Sequence, residues 1–328
     1  MKKTLNFERT PSSNISLIPG NTSSPALFDL SDPNSVKIVK TLSDSKFPIL
    51  LIFSKITKTH HVAKVFPFEN GKVHTSFWNE SRYKALQHNN IISILSTEEQ
   101  KRVPIKLGLL EVSYIVMELA PFRFKQLVVH EEFIKDEILQ RTYFAQLINA
   151  LEYLHMNGIA HLDIKPDNLL LAEDYQLKII DFDLAYKKED LLLIGRGTMH
   201  YRSPELKAGS CKKPMLSDIY SAGILLFVMK FGILPYREDE LVDNKDLQTL
   251  LYTNPQEFWK FHERFLADKT KVDSDFKDLF IGMTREKYYD RLNIRDIKKN
   301  KWFLGPKYGN QELRNLLRDK WILHSCVN

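Results

Sequence analysis

Two short stretches of this 328-residue chain gather side chains that can do chemistry together. The first is His161-Leu162-Asp163-Ile164-Lys165-Pro166-Asp167-Asn168, and the second, after a run of apolar residues, is Lys178-Ile179-Ile180-Asp181-Phe182-Asp183. Between them they offer a carboxylate able to take a proton from a hydroxyl, an ammonium able to sit on a phosphate, and hard oxygen donors for magnesium. Transfer of a phosphoryl group requires these parts. A lone His-x-Asp or Asp-Phe recurs by chance, so the signal lies in their order and spacing.

Such groups must be held by rigid elements, and the hydrophobic pattern predicts which. Residues 1–32 are rich in Ser, Asn, Pro and Thr and read as a disordered leader, with folding starting near Val36. From there to about Glu118, short apolar or β-branched runs predict strands: Val36 to Val39, Ile49 to Phe53, His61 to Phe66 and Ser113 to Met117. One helical stretch, around Phe77 to Gln87, interrupts them. Beyond Pro121 the periodicity becomes helical, as in Asp136 to Met156 and Ser217 to Phe231. The expectation is an α+β chain, a small antiparallel sheet with one main helix followed by a larger, mostly helical part.

Composition narrows the function classes. With 43% apolar residues the chain can bury a full enzyme core. Cys211 and Cys326 lie far apart, and no apolar run is expected to approach the roughly 18 to 20 residues of a membrane crossing. A soluble protein of the cytoplasm or nucleus is expected. The net charge of +6 comes from 47 basic residues spread among 41 acidic ones, which reads as solvated surface rather than a nucleic-acid footprint. The ten histidines show no metal-ligand spacing, so any metal site must come from carboxylates.

The two stretches resemble the catalytic loop and metal-binding motif of eukaryotic protein kinases of the serine/threonine type. Further motifs extend the likeness over about residues 36 to 304. Gly197-Thr198-Met199-His200-Tyr201-Arg202-Ser203-Pro204-Glu205 resembles the end of an activation segment, and Ser217 to Gly223 the buried helix whose Asp anchors the catalytic loop. Asp290-Arg291-Leu292 is similar to the site of an Arg that pairs with the Glu of the activation-segment motif, here Glu205.

The resemblance implies a two-lobed protein kinase fold over 33–304, with a small lobe at 33–118, a large lobe at 119–304 and a tail at 305–328. Leu313, Leu316 and Leu317 predict that the tail packs on the large lobe. It also implies ATP and Mg2+ as cofactors and a protein substrate, with no nucleic-acid or membrane partner. Asp163 would be the base, Lys165 the phosphate cation, and Asn168 and Asp181 the metal ligands. Val62-Ala63-Lys64 matches the strand whose Lys holds the α- and β-phosphates. Met117-Glu118-Leu119-Ala120 matches the adenine-binding hinge, with Met117 bordering the pocket and backbone groups near Glu118 and Ala120 bonding the base. Leu42, Leu50, Ala63 and Leu170 are assigned to the nucleotide by the same resemblance.

The departures are as informative. Ser43, Ser45 and Pro48 stand where the glycine-rich loop has its glycines, and Pro48 has no N–H to offer a phosphate. The family interval back from His88-Asn89-Asn90-Ile91 lands on Asn79 as the partner of Lys64. A one-residue deletion would restore Glu80, the assignment preferred here. Leu162 replaces the Arg that in many kinases grips an activation-loop phosphate, and Leu184 to Arg196 contains no Ser or Thr, so a phosphate switch there is not expected. Asp183 replaces the Gly of the metal motif. The reading is a kinase transferring the γ-phosphate of ATP to Ser/Thr hydroxyls. The alternative is a pseudokinase acting as a binding or allosteric scaffold.

Overall fold

Alternation between two faces is what turns the N-terminal apolar runs into a sheet. The computed structural model describes residues 27–105, 108–188, 196–236, 241–242, 245–266 and 271–320. They divide into two units, one holding residues up to 87 and 92–119, the other 88–91 and 120 onward.

In the first unit, β1 (Val36–Ser43), β2 (Ile49–Ser54), β3 (His60–Pro67), β4 (Ile94–Ile105) and β5 (Gly108–Met117) form one antiparallel sheet of order β1-β2-β3-β5-β4. Leu50, Ile52, Ala63, Val65, Val112, Tyr114 and Val116 share one buried face. Residues between them, including Lys64 and Phe66, point to the other. The leader expected at 1–32 gives way to packed chain earlier than its composition implies. Phe28 and Leu30 join that core, and the Tyr114 hydroxyl donates to the Phe28 carbonyl (3.1 Å) and accepts from the Leu30 N–H (3.2 Å). Residues 1–26 lie outside the described residues.

The expected helix between strands is shorter than its pattern. Here α1 spans Thr75–Ser81, capped by the His74 side chain, and tighter turns follow it, with the N–H groups of Tyr83, Lys84 and Leu86 bonding three residues back. Strand β4 escaped the apolar pattern because it is the sheet edge. An edge tolerates the charged run Glu98 to Arg102 and Pro104, which a central strand would not.

The second unit opens with β6 (Phe122–Arg123), α2 (Phe124–Val128) and α3 (Glu131–Lys135), then the long α4 (Glu137–Met156). Asp136 caps α4 by accepting from the Leu139 N–H at 2.8 Å. Short strands carry the motifs: β7 (Ile159–Ala160), β8 (Leu169–Leu171), β9 (Leu177–Ile179) and β10 (Tyr186–Lys187), with β6-β8-β9 in one sheet and β7 paired with β10. After α5 (Pro204–Lys207), α6 (Pro214–Phe231) starts on proline and stops at Gly232, whose φ of +70° is a left-handed cap.

Helix α6 is apolar on all sides and packs against α4 and α9 (Ser274–Met283). By length and composition it could cross a membrane, contrary to the expectation that no apolar run approaches that length; Asp218 and Lys230 interrupt it, and its residues are mostly buried in this core. At Gly223 a Cβ would come within 2.8 Å of Thr284 on the facing chain, so glycine permits the close crossing.

Helices α7 (Leu247–Thr253), α8 (Pro255–Glu263), α10 (Ile294–Lys299) and α11 (Lys301–Leu304) complete the unit. The tail forms α12 (Asn310–Lys320) and packs on this unit. Leu313 and Leu317 are fully buried, each contributing about 1.5 to 3 kcal/mol, while Leu316 is half-buried. Tyr308 binds Thr142 and Asp136, and Arg314 reaches Asp174.

Candidate active site

Within the first unit, strand alternation puts Lys64 on the face away from the core, where α1 supplies its partner. The Lys64 Nζ lies 2.6 Å from Glu80 Oε2, and both side chains are buried. The choice between Asn79 and Glu80 is therefore Glu80 in the structure. Beyond Ser81 the chain leaves the α-helix for three-residue turns, with the N–H groups of Tyr83, Lys84 and Leu86 each bonding three residues back.

Leu50 and Ala63 face each other across β2 and β3, and both are fully buried in the sheet core; Leu42 is half-buried near the end of β1. Met117 closes β5, and Glu118 clamps Ser93 twice, its N–H donating to the Ser93 carbonyl (3.0 Å) and its carboxylate accepting from the Ser93 N–H (2.8 Å).

The glycine-free loop turns between β1 and β2, and Phe47 at its tip folds inward. Its ring lies 4.9 Å from Phe66 and 4.7 Å from His74, with the Lys64 ammonium 6.0 Å from its centre. Pro48 contributes its carbonyl, which accepts from the Val65 N–H at 2.9 Å.

In the second unit the catalytic loop hangs from one buried carboxylate. Asp218 of α6 accepts from the His161 N–H (2.8 Å) and the Leu162 N–H (2.7 Å), and its Oδ2 lies 2.9 Å from His155 Nε2. These bonds help hold Leu162 at φ +63°, a conformation that costs a leucine about 1 to 2 kcal/mol. Held so, the Leu162 side chain enters an apolar cluster with Ala160 and Leu206, lined by Tyr186, Cys211 and Met215. The Leu replacing the family Arg thus joins the catalytic loop to both ends of the activation segment through apolar packing.

Asp163 is the hub. Its Oδ2 accepts from Lys165 Nζ (2.8 Å) and Asn168 Nδ2 (2.8 Å), and its Oδ1 from the Thr198 N–H (2.8 Å) and hydroxyl (2.7 Å). Lys165 also donates to the Thr198 hydroxyl at 2.6 Å. Burial by itself would push the Asp163 carboxyl up, but hydrogen bonds from Lys165 and Thr198, with the charge of Lys165, outweigh it and hold it below the usual range. The group is ionised at neutral pH.

Asn168 donates a second bond to the Asp163 carbonyl (2.9 Å), so its amide oxygen faces away from these contacts. The Asn168 carbonyl accepts from the Ile180 N–H (3.0 Å), which ties it to the residue before Asp181. Asp181 sits at φ +66°, and Phe182 is buried edge-on to His161, ring centres 5.0 Å apart. The structure brings Asp163, Lys165 and Asn168 into one bonded set and binds Asp181's neighbour to it. Ala120 is buried, and Leu170 is half-buried on β8.

Comparison with known proteins matches residues 49–303 to the model of the protein kinase domain. The chain belongs to the protein kinase family. Similar proteins include the serine/threonine protein kinase OSK3 of Oryza sativa subsp. indica, 32% identical over 196 residues, covering 58% of this chain and 35% of that one. Maternal embryonic leucine zipper kinase of Danio rerio is 36% identical over 149 residues, 43% of this chain and 22% of its own. CBL-interacting protein kinase 28 of Oryza sativa subsp. japonica is 30% identical over 172 residues, 51% and 36% respectively. The chain spans about a third or less of the length of these relatives. Its α+β architecture, an N-terminal antiparallel sheet followed by a mainly helical part, is that of the kinase fold.

The kinase motifs give Thr198 no site role, yet it bonds both Asp163 and Lys165. The Gly-Thr pair was its signal, because Gly197 is there for contact. Its φ is +87°, and a Cβ on it would run into the Leu162 carbonyl oxygen. Gly197→Ala is expected to lower kcat on the order of 10²-fold by displacing Thr198 from Asp163, and to lower the melting temperature as well, because the left-handed backbone and the clash with a backbone oxygen both strain the variant. An unchanged kcat would show that this contact does not position Thr198.

Proposed function

We propose that this kinase transfers the γ-phosphate of ATP to serine or threonine hydroxyls of proteins. The bonded set of Asp163, Lys165, Asn168 and Thr198 carries the reading. Asp163, kept ionised by its neighbours, accepts the proton of the acceptor hydroxyl. Lys165, shared between Asp163 and Thr198, places its ammonium where negative charge develops on the transferred group. Thr198 holds the activation segment against the base, and Lys64, oriented by Glu80, neutralises phosphate charge.

The donor set suits magnesium. The Asn168 amide oxygen and the Asp181 carboxylate are hard oxygen ligands, and among the described residues no group of three or more His, Cys, Asp or Glu forms a cage. Magnesium is commonly held in this way, by one or two protein oxygens together with substrate phosphates. When bound it supplies charge for the transferring phosphate.

A second reading, a pseudokinase that binds or regulates without transfer, is favoured by the glycine-free loop and by Phe47 folded beside Lys64. Incubation of the protein with magnesium, ATP and a generic protein substrate separates the two. Transfer lost with Asp181→Asn supports the enzyme; no transfer by pure protein supports the second reading.

The loop gives a further expected result. Restoring glycine at Ser43, Ser45 and Pro48 together should tighten magnesium-ATP binding by about tenfold or more, since each regained charge-assisted bond contributes roughly 1.5 to 3 kcal/mol. Isothermal titration of both forms measures it. Weaker binding by the glycine form would mean that the present side chains contact the nucleotide.

A further inference from the structure

The segment that follows the base is strongly basic, and its single carboxylate is hidden. Residues 196–213 carry Arg196, Arg202, Lys207, Lys212 and Lys213, with His200 and one acidic residue, Glu205. Glu205 is buried and engaged by Arg291. Lys207, Lys212, Lys213 and His200 are exposed.

This segment lies beside the reaction site, because its Thr198 hydroxyl and N–H both bond Asp163 Oδ1. A chain that offers a hydroxyl to Asp163 must therefore approach alongside it. Met199, next to Thr198 and half exposed, adds an apolar side chain there, and Cys211 and Met215, which bracket Lys212 and Lys213 in sequence, pack in the cluster with Leu162, the neighbour of Asp163.

The other flank repeats the pattern. Asp167, the exposed carboxylate of the catalytic loop, is bonded by Lys125 at 2.7 Å. Exposed Arg123 pairs in the sheet with Leu170, two residues beyond Asn168. Among the described residues of segment 196–213 and of the catalytic loop 161–168, every carboxylate other than Asp163 is thus buried or paired; Glu189 and Asp190 lie outside the described residues. A basic substrate would meet like charge here, and an acidic one opposite charge, a difference that favours one partner over the other.

We propose that this kinase selects protein segments bearing anionic side chains next to the acceptor hydroxyl. The inference rests on the phosphoryl-transfer reading above. The anion could be an Asp or Glu side chain or a residue already phosphorylated, and both present the same chemistry to Lys212, Lys213 and Arg123.

The test uses fluorescein-labelled serine peptides flanked by Glu, by phosphoserine, by Ala or by Lys. Binding is read by anisotropy, and phosphate transfer from magnesium-ATP is read in parallel. The Glu and phosphoserine peptides are expected to bind about tenfold or more tighter than the Lys peptide at low salt, with the ratio shrinking as ionic strength rises. Lys212→Glu combined with Lys213→Glu should erase most of that preference and leave the rate on the Ala peptide unchanged. Arg123→Glu gives an independent second variant.

Tighter binding of phosphoserine than of Glu identifies the phosphorylated source, and equal binding identifies acidic side chains. Equal binding of Glu and Lys peptides, or a preference untouched by both charge reversals, overturns the proposal. Preferential binding of acidic peptides without transfer to any peptide removes the phosphoryl-transfer reading, and with it the substrate role, while the anion-selective surface itself stands.

Discussion

Asp163→Asn is expected to reduce kcat for phosphate transfer by roughly 10² to 10⁴, the usual contribution of a positioned general base. The substitution keeps side-chain volume and an oxygen that can accept from the Thr198 N–H and hydroxyl, so the segment stays docked. What it removes is the negative charge that accepts the hydroxyl proton and holds Lys165. The expected signature is a collapse of kcat with little change in the ATP Michaelis constant and a melting temperature within a few degrees of the parent. Transfer at the parental rate by the purified variant would end the assignment of Asp163 as base.

The largest effect on stability is expected at Arg291. All five of its N–H donors are engaged. Nη1 and Nη2 each reach a Glu205 oxygen at 2.6 Å, Nε bonds the Arg285 carbonyl (2.7 Å), and the remaining two bond the carbonyls of Leu216 (3.0 Å) and Glu286 (3.1 Å). Its plane also lies over Tyr220, 5.0 Å from the ring centre. Arg291→Ala strands a buried carboxylate and three carbonyls, at a cost of about 3 to 5 kcal/mol. For a domain of this size that lowers the melting temperature by roughly 10 °C. Arg291→Lys should rescue little, because an ammonium cannot reproduce the two-pronged contact. An unchanged melting temperature would remove the pair from the account of stability.

The same pair fixes a pH dependence. Burial would raise the Glu205 carboxyl, but Arg291 and Ser217 outweigh it and hold it below its ordinary 4.5. A carboxyl depressed in the folded state stabilises fully above its unfolded value and loses that contribution as pH falls through the folded value. The gap in melting temperature between parent and Arg291→Ala is therefore expected to be widest near neutral pH and to narrow below about pH 4.5. A gap that persisted unchanged in acid would point to Tyr220 packing and the carbonyls instead of the ion pair.

What could be read from the sequence was whatever chemistry forces. Asp163, Lys165, Asn168 and Asp181 stand out because their order and spacing resemble the catalytic loop and metal motif of protein kinases, and that resemblance is what gives them their expected roles. The strands with Lys64 and Met117 follow from β-branched runs buried on both faces. What stayed hidden depends on neighbours that sequence does not list. Strand β4 is an edge, so its charged run needs no apolar alternation. Phe28 and Leu30 look like part of a polar leader until Tyr114 supplies both hydrogen bonds that hold them. The helix bearing Glu80 follows its pattern only to Ser81, and counting along the sequence left Asn79 and Glu80 both open as the partner of Lys64, which in the structure is Glu80. At Leu162 a missing Arg was legible, but the apolar cluster in its place draws on Ala160, Tyr186, Leu206, Cys211 and Met215, too far apart in sequence to be read together.

That cluster changes which conditions govern the hold on the activation segment. A clamp made of Arg and phosphate is screened by salt and removed by a phosphatase. Contacts among Leu162, Leu206 and Met215 respond to neither, because they involve no charge and no modification. They respond to temperature: apolar association weakens on cooling, as the hydration entropy behind it fades. The apolar share of the join between catalytic loop and segment is therefore weakest in the cold and grows on warming, while the Thr198 bonds to Asp163 and Lys165 are its polar share.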